Sequence, residues 1–331
     1  MRAVRAFKKL IKSIRSSLRF YWQCYLDSKH FRHTITTANA DCIGATSRIE
    51  SDIIRQYHVL EKGLCMPDFR PRFGRDNITG LINSLSLLTK NPHGASANSG
   101  QVQAACAVLQ AYHQRHADLG IDVSDMLHES SRHLWMGDCD CSAGGVRPYV
   151  PADATDSAAF ERFARSRTSV RNFKFEIIPD RKIILEAVDV ALRAPSVCNR
   201  QTARIHAYTG DAAQRALAIQ SGNRGFGHKI PMVLVVTSDL RFFTGTVERY
   251  QGWIDGGMFA MLLLLALHAK GLGAVALNWS VNHTKDRALR KAVEIPDHER
   301  IIMLIGCGYP VRDCLVPISK RRSPIEITFW P

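Results

Sequence analysis

The chain has 331 residues, 46% of them hydrophobic and 22% charged, which is enough apolar content for one or two ordinary cores and too much for a disordered chain. Its 44 Lys and Arg against 30 Asp and Glu give a net charge of +14, which suits an anionic partner such as a phosphate-bearing cofactor, a nucleic acid or a membrane surface. Residues 1–33 hold nine of those Lys and Arg and a single acid, Asp27, so +8 is concentrated there and +6 is spread over the rest; with no recognition motif visible, nucleic-acid binding is not expected.

From residue 4 to 25 the apolar residues Val4, Phe7, Leu10, Ile11, Ile14, Leu18, Tyr21, Trp22 and Tyr25 recur three or four apart, predicting a helix with one apolar face and Lys and Arg on the other. Such a helix suits an anionic membrane interface; packing on the protein's own body is the alternative. Basic and apolar residues are interleaved, unlike a secretory signal. The nine cysteines, scattered from Cys24 to Cys314, look like reduced thiols. The chain is therefore expected in the cytoplasm, with residues 1–33 as a candidate peripheral membrane attachment. Cys139 and Cys141, with His113, His116, His128 and His133 upstream, lack a second paired set, and no metal site is expected.

Residues 34–150 predict a mainly helical extension. A helix runs from Ala45 to Gly63, with Ser47 and Glu50 in capping-box spacing and Gly63 as its stop. His58, Glu61 and Lys62 share one face of it, and the following loop carries two prolines, three arginines and two phenylalanines. Further helices are predicted near Gly80–Lys90 and Gln101–His116. The stretch from Gly137 to Ser157, rich in Gly, Pro and Asp, reads as a linker. Beyond it, helix patterns (Pro179–Arg193, Gly256–Lys270, Asp286–Val293) alternate with β-branched runs (Ile205–Thr209, Met232–Thr237, Ala274–Leu277, Ile301–Gly306), predicting an α+β or α/β sandwich with helices against a sheet. The run from Gly256 to Ala269 is too short for a bilayer core of about 30 Å and reads as a buried helix.

Three groupings in this C-terminal half suit one anionic ligand, although each alone reads as ordinary surface. Arg167-Thr-Ser169-Val-Arg171, if extended, presents two guanidinium groups and a hydroxyl on one side. Ala194-Pro-Ser196-Val-Cys-Asn199-Arg-Gln201 is a polar turn after a helix. Lys320-Arg-Arg322 lies near the end. In this order, with Asn223 before the Pro231-Met-Val-Leu-Val-Val run and Asp255 opening the long apolar helix, they resemble the FMN-dependent nitroreductase family over about residues 157–331.

The resemblance implies an α+β, nitroreductase-like, FMN-binding three-layer sandwich that follows a basic helix (1–33) and a helical extension (34–150). It implies a homodimer with flavin at the interface, and ping-pong hydride transfer from NADH or NADPH through FMN to an unidentified acceptor. Arg167, Ser169, Lys320 and Arg322 would hold the FMN phosphate, with Arg171 and Asn223 by the pyrimidine edge of the flavin. Pro195, Ser196 and Asn199 would come from the partner subunit, and Asn278 and Trp279 would lie near the reactive nitrogen. The chemistry is flavin-centred and no catalytic side chain is assigned. The chain has Gln201-Thr202-Ala203 where the family often has Gln-Pro-Trp, so a Pro and an aromatic that help shape the pocket are missing.

The stretches Tyr57–Leu64 and Arg70–Gly74 resemble an extension of nitroreductase-like proteins from bacterial surface-polysaccharide gene clusters, implying a lid with His58, Glu61 or Arg72 on the substrate. The alternatives are a non-catalytic membrane-peripheral adaptor with a degenerate flavin fold in envelope polysaccharide assembly, or an FMN oxidase or dehydrogenase passing electrons to oxygen.

Overall fold

The apolar spacing of the first half converts into helices throughout. A computed structural model of the chain describes residues 2–37, 42–90, 99–127, 129–136, 140 and 142–330. Helices α1 (Arg2–Thr37), α2 (Cys42–Leu64), α3 (Arg75–Lys90), α4 (Ser99–Ala117) and α5 (Ser124–Leu127) form the N-terminal part. Then come α6 (Ala154–Ser166), α7 (Arg181–Ala191), β1 (Ala203–Thr209), α8 (Gly210–Ile219), β2 (Met232–Asp239), α9 (Gln251–Ala269), β3 (Gly273–Asn278), α10 (His283–Val293), β4 (Glu299–Gly308) and α11 (Pro324–Ile327). His128, Cys139 and Cys141, the weak metal grouping, lie outside the described residues.

The sheet is antiparallel throughout, in the order β1-β2-β4-β3. Its faces are told apart by alternation along β2: Met232, Leu234 and Val236 pack with α7 and α9, while Val233 and Val235 pack with α8 and α10. Both faces are covered, which is why β2 is an unbroken apolar run. The result is the expected α+β sandwich of three layers. By length and apolarity alone, residues 246–269 would suit a bilayer, but half of that stretch is buried and α9 lies on the sheet. Gly256 lets it approach, since a Cβ there would sit 2.7 Å from Cγ1 of Ile302.

Some bounds differ from expectation, for local reasons. Helix α1 continues past Tyr25 because Phe31 and Ile35 bury against Leu240 and Phe243. Helix α3 begins at Arg75, before Gly80, and Gly80 serves as a close-approach point where a Cβ would meet the Gln56 side chain at 2.9 Å. The linker ends early, because the Asp153 carboxylate accepts from the Asp156 N–H and caps α6. Helix α8 had no counterpart in the sequence reading.

The extension has its own core, built from Ile53, Leu60, Ile78, Leu81, Leu109 and Tyr112 among others. Phe242, from the turn after β2, belongs to that core and joins the two halves.

Candidate functional site

After α6 the backbone extends along the outer edge of β3. The Val170 N–H donates to the Ala274 carbonyl (3.0 Å) and Ser169 bridges Ala274 in parallel, while the Lys174 N–H donates to the Tyr309 carbonyl (2.8 Å). Val170 packs on the core, so the alternate residues Arg167, Ser169 and Arg171 share the other side; the alternation ends by Phe173, which is buried. Gly273 permits this contact, since a Cβ there would lie 2.8 Å from Cγ1 of Val170.

Arg167, Ser169 and Arg171 line a cavity of about 660 Å³ together with Arg321, Ser319 and Met261 of α9, a size typical of small-ligand sites. Glu161 is the one acid in its lining. His268, hydrogen-bonded to Ser166 Oγ (2.8 Å), is held below the usual histidine range by burial and by the charge of Arg167. The late cationic group meets the cavity through Arg321. Lys320 and Arg322 do not line it, and exposed Arg322 lies 4.0 Å from Glu326.

The Arg171 guanidinium lies 5.8 Å from the ring centroid of Phe226. Phe226 sits in a loop organised by Asn223, whose amide donates to the Leu217 carbonyl (2.7 Å) and to the carbonyl and side-chain oxygens of Gln220 (3.0 Å each). The Gln220 amide in turn donates to the Asn278 carbonyl at 3.0 Å. Gln220 was not a sequence candidate, and it couples two residues that were.

Asn278 and Trp279 line a different cavity, of about 810 Å³, with Trp253 and Gly257 of α9 and Phe20 and Gln23 of α1. Gly257 and Met261 are one helical turn apart, so the two cavities follow one another along α9. Trp279 is itself buried, with its indole N–H donating to Asp286 (2.9 Å).

The turn carrying Pro195, Ser196 and Asn199 lines neither cavity. Ser196 Oγ accepts from the Gln201 N–H (3.0 Å), and buried Asp255 accepts from the Val197 N–H (3.1 Å) and the Gln251 amide (2.7 Å). Cys198, Asn199 and Gln201 all have left-handed backbones, with φ of 49°, 56° and 49°, a concentration of strain found at sites over-determined by their surroundings. Beneath them Arg200 is 1% exposed; it pairs with Glu248, donates to the Phe242 carbonyl (2.9 Å) and lies 5.2 Å from the centre of the Phe243 ring. Burial pushes Glu248 up, but hydrogen bonds from Arg200 and from the Thr244 and Gly245 N–H groups outweigh it and hold it below the ordinary carboxylate value.

The three substrate candidates lie in the extension, and none lines either cavity. His58 Nδ1 is 3.3 Å from Glu61, which also accepts from the Gly145 N–H (3.2 Å). Arg72 pairs with Asp125 (2.6 Å), and its N–H donates to His116 Nε2 (2.9 Å). His116 is fully buried against Phe69, Phe73 and Tyr112, so the loop carrying Arg72 is pinned to α4. Tyr57, on the same helix as His58, hydrogen-bonds Gln101 (2.7 Å) and the Asn199 side chain; burial raises its pKa.

The sequence profile of the Nitroreductase family matches residues 164–220 and 213–309. An NADH dehydrogenase of Thermus thermophilus is 27% identical over a 199-residue alignment that covers 50% of this chain and 93% of that protein. Among solved structures, a nitroreductase-like protein of Streptococcus mutans is 18% identical with a TM-score of 0.45, covering 53% of this chain and 98% of that one. An FMN-dependent nitroreductase of Clostridium difficile is also 18% identical, with a TM-score of 0.43 and coverage of 50% and 96%. The profile match spans the Arg167 segment, the Pro195 turn and all four strands, so residues 164–309 of this chain are similar to the Nitroreductase family.

Proposed function

We propose that the protein is an FMN-dependent oxidoreductase that draws electrons from NADH or NADPH, passes them to a second substrate, and works as a homodimer. The observation that carries this reading is the convergence of Arg167, Arg171, Arg321 and Ser169 on one cavity. The guanidinium groups of Arg167 and Arg321 and the Ser169 hydroxyl suit a phosphate dianion, because forked donors bind phosphate oxygens in pairs. The donor set therefore fits the phosphate end of FMN, and the adjoining cavity at Asn278 supplies room for the ring.

Bound FMN supplies two-electron chemistry, accepting hydride from a reduced nicotinamide and releasing it to an acceptor. The chain's part is binding and electrostatics. Arg171 stands over Phe226, beside the loop that Asn223 organises, and its cation would stabilise negative charge on a reduced ring bound next to it. Gln220 fixes the Asn278 carbonyl and so the backbone at the end of β3. The cavity lined by Trp253, Asn278 and Ile302 would partly shelter from water a ring bound in it.

The dimer reading is supported by apolar surface left uncovered in one chain. Ile254, Met258 and Met261 are exposed on α9, and Leu315, Ile318, Phe329 and Trp330 are exposed in the C-terminal segment. A second copy would cover both, and its Pro195 turn, which lines neither cavity in its own chain, would complete the site. Anaerobic mixing with NADH and with NADPH tests the redox reading: bleaching of bound flavin by either donor is expected, and flavin that neither reduces would overturn it.

A further inference from the structure

Among its described side chains, helix α1 meets the body of the protein through one face. Gln23 accepts from the His283 N–H (2.9 Å), Asp27 lies 3.7 Å from Arg300, His30 donates to the Asp297 carbonyl, and Phe31 and Ile35 pack on Leu240 and Phe243. Those docking residues all belong to the C-terminal half of the helix. At 3.6 residues per turn, Ile14, Leu18, Tyr21, Trp22 and Tyr25 fall within about 100° of arc on the side opposite Gln23, Asp27 and His30. The structure leaves this stripe uncovered, with Leu18 64%, Tyr21 68% and Trp22 57% exposed. Arg15 is exposed beside this stripe, Lys12 and Arg19 are exposed further round the helix, and no acid occurs before Asp27.

We infer that this outer face of α1 docks on an anionic lipid bilayer. An exposed stripe of Leu, Ile, Tyr and Trp matches the headgroup and acyl boundary, where amphipathic aromatic rings are favoured, and the flanking cations match anionic headgroups. Charge complementarity also selects between occupants. A second copy of α1 would bring its own Lys12, Arg15 and Arg19 to the contact with no carboxylate between residues 1 and 26 to offset them. The helix would lie in the plane of the interface, Tyr25 marking the end of its apolar stripe and Lys29 and Arg32 reaching back toward headgroups. Because the inner face of the same helix lines the cavity at Asn278 with Phe20 and Gln23, docking would set that cavity about one helix diameter, ~10 Å, from the lipid.

The test is co-sedimentation of the full chain with vesicles of phosphatidylcholine alone and of equal parts phosphatidylcholine and phosphatidylglycerol. Binding to the anionic vesicles is expected, with little to the neutral ones and release at high salt. The triple variant Lys12→Gln, Arg15→Gln, Arg19→Gln should partition about 100-fold more weakly, the loss expected for three interfacial cations. The variant Leu18→Ser, Trp22→Ser should lose at least tenfold. All five side chains point into solvent, so folding should be unaffected, as circular dichroism would verify. No binding of the wild type to anionic vesicles, or unchanged binding by either variant, overturns the proposal. So does sedimentation velocity in which the serine variant lowers the oligomeric state of a wild type that ignores vesicles, since the stripe would then be a contact between copies.

Discussion

Ser51 Oγ on α2 donates to the Phe242 carbonyl at 2.7 Å, and that carbonyl also accepts from Arg200 at 2.9 Å. One backbone oxygen thus ties the helical extension, the end of β2 and the strained Pro195 turn together. The Phe242 ring is buried in the core of the extension. The extension and the C-terminal domain should therefore unfold as one unit. Phe242→Ala should cost about 3–5 kcal/mol, the usual loss for a buried aromatic, and the wild type should show coincident urea transitions by far-ultraviolet circular dichroism and by tryptophan fluorescence. Two separated transitions in the wild type would contradict the coupling.

Arg200 is a second joint. Removing its charge leaves Glu248 partly buried beside the Phe242 carbonyl without its main partner. Arg200→Met should destabilise by about 3 kcal/mol, the low end for a broken buried pair. Adding Glu248→Gln should cost much less than the two separate losses combined, and equilibrium denaturation of the four-member cycle measures that coupling.

The strands were legible because both faces of the sheet are buried, so Met232–Thr237 and Ile301–Gly306 stand out as apolar runs. Helix α9 stood out for the same reason. Helix α8 did not, because its opening Gly210-Asp211 reads as a turn and its buried face is mostly alanine. The grouping of Arg167, Ser169 and Arg171 on one cavity was legible from alternation, because the segment runs extended beside β3. It was not legible in the irregular segment after residue 310, where no period fixes the register and Arg321 takes the position expected of its neighbours. The docking face of α1 was also hidden, since Gln23, Asp27 and His30 make polar contacts and do not pattern like a core.

His30 gives the attachment of α1 a pH dependence. Burial holds its imidazole below the ordinary 6.5, the Asp297 carbonyl opposing this and the charges of Arg300 and Arg290 adding to it. Below pH 6.5 the unfolded chain therefore takes up a proton that the folded one resists, so this contribution is complete above 6.5 and lost as pH falls. Thermal stability followed from about pH 8 to about pH 5.5 should drop more steeply in the wild type than in His30→Gln. Parallel curves would contradict the assignment.

The proposed phosphate site makes a residue-level prediction. Arg167→Ala and Arg321→Ala should each weaken FMN binding about 10- to 100-fold, the range for losing a charge-assisted hydrogen bond. Arg322→Ala should change it less than about threefold, because that side chain lies toward Glu326 and away from the cavity. Titration of each variant with FMN by fluorescence quenching reads the order directly.

The central claim is that this chain binds FMN, and the most direct measurement is the visible spectrum of the purified protein with chromatographic identification and counting of whatever heating releases. The account predicts one FMN per chain, or uptake of added FMN to that ratio. A colourless protein that takes up no added FMN would contradict it.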